Sequence, residues 1–154
     1  MSHLRILAVF LPALFYASVL SADEKKINRS DLPAAVEKTV AAQSQGATIR
    51  GFSQEEEHGK TFYEAELIVD NHHKDILMDA SGAVVEVEEQ VEISSLPAAV
   101  RDGLQAQAGK GKLIKVESIA KHDKLVAYEA KVKTAGKVSE VQVGPDGGHL
   151  DHEE

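Results

Sequence analysis

Leu32-Pro33-Ala34-Ala35-Val36 occurs a second time as Leu96-Pro97-Ala98-Ala99-Val100, 64 positions further along this chain of 154 residues. Self-similarity at a fixed spacing is typical of one structural unit that a chain repeats. The repeat therefore predicts two tandem units, the first in residues 23–91 and the second in residues 92–154. Because helix starts and turns specify shape, this repeat predicts architecture and leaves the chemistry open.

Two further landmarks recur in the same order. Tyr63-Glu64-Ala65 returns as Tyr128-Glu129-Ala130, and the Asp-Ala-Ser-Gly turn at residues 79–82 corresponds to the Gly-Pro-Asp-Gly turn at residues 144–147. The spacing is now 65 positions, so the second unit gains a single residue between its first landmark and the others. A kept order with so small a change supports one copied unit.

Each unit is predicted to begin with a helix. Pro33 is tolerated in a first helical turn, and Leu32, Val36 and Val40 follow at intervals of four residues, which places them on one helix face. Gly46 is expected to end this helix. The second unit repeats the arrangement as far as Gly109.

After each helix the pattern changes to the alternation typical of strands. Short turns between the strands favour antiparallel pairing, since parallel strands need a crossover of about a dozen residues. The predicted fold class is α+β, with two tandem units that each pack one helix on a four-stranded antiparallel sheet. The predicted strands are residues 48–54, 61–69, 74–79 and 83–88, then 113–119, 125–133, 137–143 and 148–152.

Alternation within the central strands predicts which side chains face the helix. Tyr63 and Leu67 fall on one side of their strand, whereas Glu64 and Glu66 fall on the other. Tyr128 occupies the matching position in the second unit. We therefore expect the tyrosine face to carry the core and the charged face to remain open.

Residues 1–22 have the layout of a secretory signal peptide, with Arg5 before an apolar run and small residues up to Ala22. The apolar run of about 15 residues is shorter than the roughly 20 that a membrane span requires. We expect cleavage after Ala22 and a periplasmic or secreted protein without membrane insertion. The chain contains no cysteine, which excludes disulfides and thiol chemistry.

The chain is acidic, with a formal net charge of −8 that becomes −9 without Arg5. This balance argues against nucleic acid and against anionic lipid surfaces, because both require a basic surface. Residues 27–91 carry a net charge of −8 and residues 92–154 carry −1. The acidity of the first unit is compatible with solubility alone or with a basic target.

These landmarks resemble those of the PepSY-like, beta-lactamase-inhibitor-like domains of exported bacterial proteins, in two tandem copies from about Ile27 onward. The resemblance implies a helix packed on an antiparallel sheet in each copy, and it allows the two sheets to form one extended surface. It also implies a non-enzymatic binding or inhibitory role outside the cytoplasm. The inhibitors that name the group carry disulfides and an aromatic-rich concave face, which this sequence lacks, so inhibition of a beta-lactamase itself is not expected.

No catalytic constellation stands out in the sequence. It has no Gly-x-Ser-x-Gly nucleophile turn and no glycine-rich phosphate loop before a helix. Carboxylate pairs such as Glu64 with Glu66 or Glu86 with Glu88 are expected to be solvated strand positions in so acidic a chain. We predict a protein that is not an enzyme, with no catalytic residues and no cofactor.

The leading hypothesis is a protein-binding patch on the open face of the first unit. Phe52 and Phe62 are expected on this face, rimmed by Glu64 and Glu66 and with Leu77 alongside. Exposed aromatic residues surrounded by charges are typical of protein-binding surfaces. In the competing interpretation the two rings cover each other, or the second sheet or a partner copy of the chain buries them. The predicted partner is a protein of unknown identity.

Two histidine pairs motivate an alternative function. His72 and His73 lie in a predicted turn near aspartates, and His149 and His152 lie in the predicted last strand. Imidazole with carboxylate suits zinc, copper or nickel. Neighbouring histidines on a strand point to opposite faces, however, and neither pair shows a three-ligand spacing. The alternative is a small periplasmic metal- or cation-binding protein that uses His, Asp and Glu side chains.

Overall fold

The computed structural model describes residues 24–152 and residue 154, so the predicted signal peptide lies outside the described residues. Two α-helices, α1 Ala34–Gln43 and α2 Ala98–Ala108, are each preceded by a 3₁₀ turn, Arg29–Asp31 and Ile93–Ser95 respectively. The strands are β1 Lys25–Ile27, β2 Thr48–Glu57, β3 Lys60–Val69, β4 His72–Asp79, β5 Val84–Gln90, β6 Lys112–Lys121, β7 Lys124–Thr134 and β8 Lys137–Val143. Neither helix is long and apolar enough to cross a membrane.

All eight strands form one antiparallel sheet in chain order, β1 to β8. The prediction of two tandem units, each with one helix packed on its own four-stranded antiparallel sheet, is therefore wrong. β5 pairs with β4 on one side and with β6 on the other, where Val87 lies opposite Ala120. Turns and alternation do not reveal whether the outer edge of a strand stays free, and here the backbone groups of β5 pair across the predicted boundary.

The predicted last strand at residues 148–152 does not form. The preceding turn closes on itself, because the Gly144 backbone N–H donates to the Gly148 carbonyl at 2.8 Å and the Gly148 N–H donates to Asp146 Oδ1 at 2.9 Å. These bonds occupy backbone groups that a strand would offer to its neighbour. β8 is consequently the last strand of the sheet, and the predicted division into residues 23–91 and 92–154 stays a prediction.

The order of element types occurs twice within this one sheet. A strand, a 3₁₀ turn, a helix and three strands run from β1 to β4, and the same succession runs from β5 to β8. β5 thus stands before α2 as β1 stands before α1. The repeated Leu-Pro-Ala-Ala-Val lies at the start of α1 and of α2, and the repeated Tyr-Glu-Ala lies within β3 and β7.

Both helices pack on the same face of the sheet, each over its own apolar cluster. Tyr63 and Tyr128 are partly buried against these clusters, which confirms the predicted orientation of the tyrosines. The cluster under α1 consists of Val36, Val40, Phe52, Ala65, Leu67, Ile76 and Met78. The cluster under α2 consists of Leu96, Val100, Leu104, Leu113, Val116, Ala130, Val132 and Val143.

The backbone of each helix also lies against a glycine in the turn that follows the last strand of its set, which is β4 for α1 and β8 for α2. Gly82 and Gly147 have φ angles of +79° and +81°, and a Cβ at either position would overlap the carbonyl oxygen of Ala35 or Ala99. Thr39 Oγ1 donates to the Gly82 carbonyl oxygen at 2.7 Å. The repeated turns therefore end in glycine because the helix backbone lies directly against them.

We predict that Gly82→Ala and Gly147→Ala each lower the free energy of unfolding by about 3 kcal/mol, from the left-handed φ and the backbone overlap together. The matched control is Gly46→Ala, because Gly46 has φ +78° and no neighbouring atom within 4 Å of an added Cβ. That variant should lose only about 1 kcal/mol. Urea unfolding followed by circular dichroism measures all three. Equal losses at the three glycines would contradict the proposed close contact.

Candidate functional site

The sheet face opposite the two helices carries most of the charged residues of the strands, and we call it the open face. In β5, Val87 packs into the cluster under α1, so its neighbours Glu86 and Glu88 point to the open face. Glu64 in β3 and Leu77 in β4 lie opposite one another on this same face. Among the described residues, neither helix covers it.

A cavity of about 210 Å³ lies at the centre of the open face. Its walls come from strands β2 to β5, and carboxylates dominate them. Strand pairing places Asp75 beside Glu88 and Leu77 beside Glu86, so the acidic residues converge rather than spread along one strand. The cavity is lined by Glu55, Glu64, Asp75, Leu77, Glu86 and Glu88.

Three carboxylates from three neighbouring strands converge next to this cavity. One oxygen each from Asp75, Glu88 and Glu117 lies within 4.8 Å of the others. Glu117 is only 4% exposed, and Lys115 Nζ lies 2.5 Å from its carboxylate. Lys115 thus pairs with Glu117, and its positive charge also acts to lower the pKa of Asp75. Carboxylate oxygens are the ligands that hard divalent cations prefer, so these three residues could hold such an ion.

Burial makes ionisation unfavourable for several of these groups. It raises the pKa of Glu88 to about 8, with a further contribution from the negative charges of Glu86 and Glu117. It raises the pKa of Asp75 to about 6, and Glu117 adds to that effect. The pKa of Glu64 is also raised by burial, although the Ser53 hydroxyl donates to its carboxylate at 2.9 Å and acts in the opposite direction.

Four of the five residues predicted for the binding patch lie on the open face. Phe62, Glu64 and Glu66 alternate along β3 on this face, and Leu77 lies opposite Glu64. Phe62 and Leu77 line a groove of about 390 Å³ beside the acidic cavity. The other residues of that groove are Glu57, Lys60, Asp79, Val85, Glu86, Lys121 and His122.

Phe52 lies on the other face, and the prediction that it joins Phe62 is wrong. It pairs with Ala65, is 7% exposed, and belongs to the cluster under α1. A register shift between Ile49 and Gly51 precedes it in β2. A shift of one residue moves a side chain to the opposite face, and pairing register is not visible in a single strand's sequence.

The structure does not bring the four histidines into one site. His72 Nε2 lies 3.1 Å from a carboxylate oxygen of Glu92, whereas His73 is exposed on the neighbouring position. His149 Nδ1 lies 2.8 Å from Gln107 Nε2 beside α2. His152 is exposed. Within residues 24–152 and residue 154, the three converging potential ligands are all carboxylates. A histidine metal site stays a prediction.

Sequence reasoning missed the convergence of Asp75, Glu88 and Glu117. Alternation in β4 and β5 was a usable signal for the first two, since both fall in the charged register of their strands. Glu117 joins them only because β6 pairs with β5, where Gln90 lies opposite Glu117. That pairing crosses the predicted unit boundary and could not be read from the repeat.

Comparison with known proteins finds the fold but no family. No family profile matches the chain, and no curated protein is similar to it. Several solved structures share the fold.

Three examples, all from Bacteroides species, show the extent of the similarity. A protein of B. eggerthii described as periplasmic has 14% identity and a TM-score of 0.63 over 77% of this chain and 86% of its own. A DUF2874 family protein of B. ovatus has 15% identity and a TM-score of 0.61, covering 78% and 85% of the two chains. A BLIP-like protein of B. fragilis has 21% identity and a TM-score of 0.55, covering 78% and 83%. The fold is thus similar to a beta-lactamase-inhibitor-like fold.

Because the pKa of Glu88 is raised, we expect the stability of the protein to depend on pH through this side chain. Because the folded protein holds this proton more tightly than the unfolded chain, whose glutamates titrate near 4.5, the stabilisation is complete below pH 4.5 and is lost as pH rises through about 8. Glu88→Gln should therefore match the parent at pH 4.5. At pH 8.5 the free energy of unfolding of Glu88→Gln should exceed that of the parent by about 2 kcal/mol. This difference is smaller than the full pKa shift would give, because the ionised Glu88 side chain of the parent can move toward water.

Urea unfolding at the two pH values measures the difference. Glu89→Gln is the matched control, because Glu89 neighbours Glu88 but is exposed and lies 4.0 Å from Lys74 instead. It should show no gain at pH 8.5. An equal gain in both variants, or none in Glu88→Gln, would contradict the assigned burial of Glu88.

Proposed function

We propose that this protein is a non-enzymatic binding module that acts outside the cytoplasm and takes a basic segment of a partner protein on its open face. The observation that carries this proposal is the concentration of carboxylates on a sheet face that neither helix covers. Six carboxylic acid groups gather at the centre of that face, whereas two ammonium groups lie close to them. Lys115 pairs with Glu117, and Lys121 Nζ lies 3.6 Å from Glu86, so acidic groups remain in excess. A cationic side chain would neutralise this excess.

The environment of the carboxylates supports a strong response to a cation. Glu64, Asp75 and Glu88 are partly withdrawn from water, which is why their pKa values are raised. Charges in such an environment interact more strongly than charges in bulk water, because solvent screens them less. A lysine or arginine side chain that entered the cavity would favour the ionised form of these carboxylates. It would therefore lower their pKa values and offset part of the rise that burial causes.

The groove lined by Phe62 and Leu77 supports an apolar component in the same partner. It shares Leu77 and Glu86 with the acidic cavity, so the two recesses adjoin. An apolar side chain next to a basic one in the partner segment would fill both recesses together. Partly buried apolar anchors beside charged contacts are typical of protein-binding sites.

A place outside the cytoplasm is supported by the layout of residues 1–22 and by the periplasmic description of the B. eggerthii structure. Membership of the PepSY-like family, with two tandem copies, is part of this proposal and rests on the repeated sequence landmarks. Modulation or inhibition of an extracytoplasmic enzyme is the finer form of the proposed role.

The convergence of Asp75, Glu88 and Glu117 favours a second candidate, namely a divalent cation bound by carboxylates rather than by histidines. A hard cation would use the same negative charge as a lysine or arginine side chain. The two candidates therefore compete for one place on the open face, and one titration separates them.

We expect a short fluorescent peptide of alternating lysine and leucine to bind the parent protein, and a peptide of alternating glutamate and leucine not to bind. Glu86→Gln/Glu88→Gln should weaken lysine-peptide binding by roughly tenfold, which is about 1.4 kcal/mol. Added salt should weaken it as well, because exposed charges are screened. Fluorescence anisotropy measures both effects.

The matched control is Glu56→Gln/Glu89→Gln, which makes the same charge change at exposed positions that point away from the open face. It should bind like the parent. Calorimetric titration with CaCl₂ tests the second candidate, and displacement of the peptide by calcium would favour the cation. If the parent does not bind the lysine peptide, or if both double variants bind it equally, the proposed function is wrong.

A further inference from the structure

The open face has a basic corner at the end of the second half. Strand pairing places Lys112 opposite Lys133 and Lys133 opposite Val138, and the next row contains Lys115 opposite Lys131. We define the basic corner as these four lysines with Val138. Like charges directly opposite each other on neighbouring strands are unfavourable, so this arrangement favours contact with an anionic surface.

Two lysines of the basic corner are available for such a contact. Lys131 Nζ lies 3.2 Å from Glu140, and Lys115 already pairs with Glu117. Lys112 and Lys133 are exposed. In the part of the chain that the structure describes, neither has a carboxylate within 4.0 Å of its ammonium group.

Exposed apolar side chains lie within the basic corner, at Val138, and next to Lys115 in sequence, at Ile114. Ile114, the residue skipped by the register between β6 and β7, is 46% exposed, and Val138 is 58% exposed. These are the large apolar side chains that the described residues leave most open to water. The basic corner therefore combines lysines with apolar side chains, which is the chemistry that the acidic cavity and its neighbouring groove would accept.

We propose that two copies of this chain bind face to face, with the basic corner of each copy against the acidic cavity of the other. The inference rests on the proposed function, since it assigns the basic partner of the open face. Lys115 contacts the converging carboxylates within one molecule, but Lys112 and Lys133 lie on the same face of a single sheet as the acidic cavity and pair with none of its carboxylates. A two-fold axis between two open faces brings both pairs together at once and closes the assembly.

The open face is large enough for a dimer. The eight strands contain three to eleven residues each, and at about 3.3 Å per residue and about 4.8 Å between strands they span roughly 1,000 Å². Glu154 occupies part of this area beside Gln142 and Lys121. A stable interface needs about 800 Å² from each partner. The dimer would cover the acidic cavity, and a foreign basic segment would therefore compete with the second copy for the same surface.

Sedimentation velocity of the full chain without residues 1–22 tests this inference at low and high salt. We expect a concentration-dependent dimer whose dissociation constant rises at least tenfold in high salt. Lys112→Glu/Lys133→Glu should be monomeric. The matched control is Lys38→Glu/Lys110→Glu, which reverses one exposed charge in α1 and one just after α2. This variant should dimerise like the parent.

A charge exchange gives the most specific readout. Glu55→Lys/Glu86→Lys places positive charge in the cavity and should also be monomeric by itself. Mixed with Lys112→Glu/Lys133→Glu it should form a one-to-one heterodimer, because both contacts then join opposite charges again. Circular dichroism checks that each variant is folded. If the cavity variant is not folded, the exposed lysine variant and its control decide the question.

The failure of this inference is distinguishable from failure of the proposed function. A monomeric parent at every concentration and salt, or a mixture of folded variants that stays monomeric, would overturn the dimer. In that case lysine-peptide binding by Lys112→Glu/Lys133→Glu would still support the proposed function. Binding of heparin by a monomeric parent, lost in the lysine variant, would show a polyanion site in place of the dimer contact.

Discussion

The pairing of β5 with β6 is the interaction on which the rest of the structure depends. It joins two successions of strand, helix and three strands into one continuous sheet. Without this pairing, Glu88 and Glu117 would belong to separate sheets, and their carboxylates would not converge with that of Asp75. The same pairing keeps both helices on one face, because side chains of β5 and β6 alternate in step across the junction. The open face is therefore continuous across the junction. Glu154 lies on part of it, where its backbone N–H donates to Gln142 Oε1 at 2.8 Å and its carboxylate lies 3.4 Å from Lys121 Nζ.

The open face opposes the stability of the fold, whereas the helix face supports it. Two apolar clusters, one beneath each helix, bury the side chains that drive folding. On the other side, Asp75 and Glu88 are partly buried beside other carboxylates, which raises their pKa values and disfavours their ionised forms. Local conflict of this kind is expected at functional sites, where a protein gives up stability for a surface that another molecule can satisfy.

Local patterns in the sequence were sufficient to predict which sheet face some side chains lie on. Alternation placed Tyr63 and Tyr128 on the helix side because side chains in any strand alternate, whatever its partner. Alternation did not predict the correct face for Phe52, because the register shift in β2 arises from the pairing of β2 with β3. The bonds that close the turn from Gly144 to Gly148 likewise overrode a weak strand pattern after β8.

The sequence by itself determined the two helices, the meander of antiparallel strands after each of them and the acidic character of one strand face. These features follow from spacing within short segments and from the residues allowed in turns. Only the tertiary structure decided that the two halves share one sheet, that Phe52 is buried and that Asp75, Glu88 and Glu117 converge. The physical reason is that strand pairing joins backbone groups distant in sequence, and spacing within one segment does not specify which distant segment its backbone pairs with.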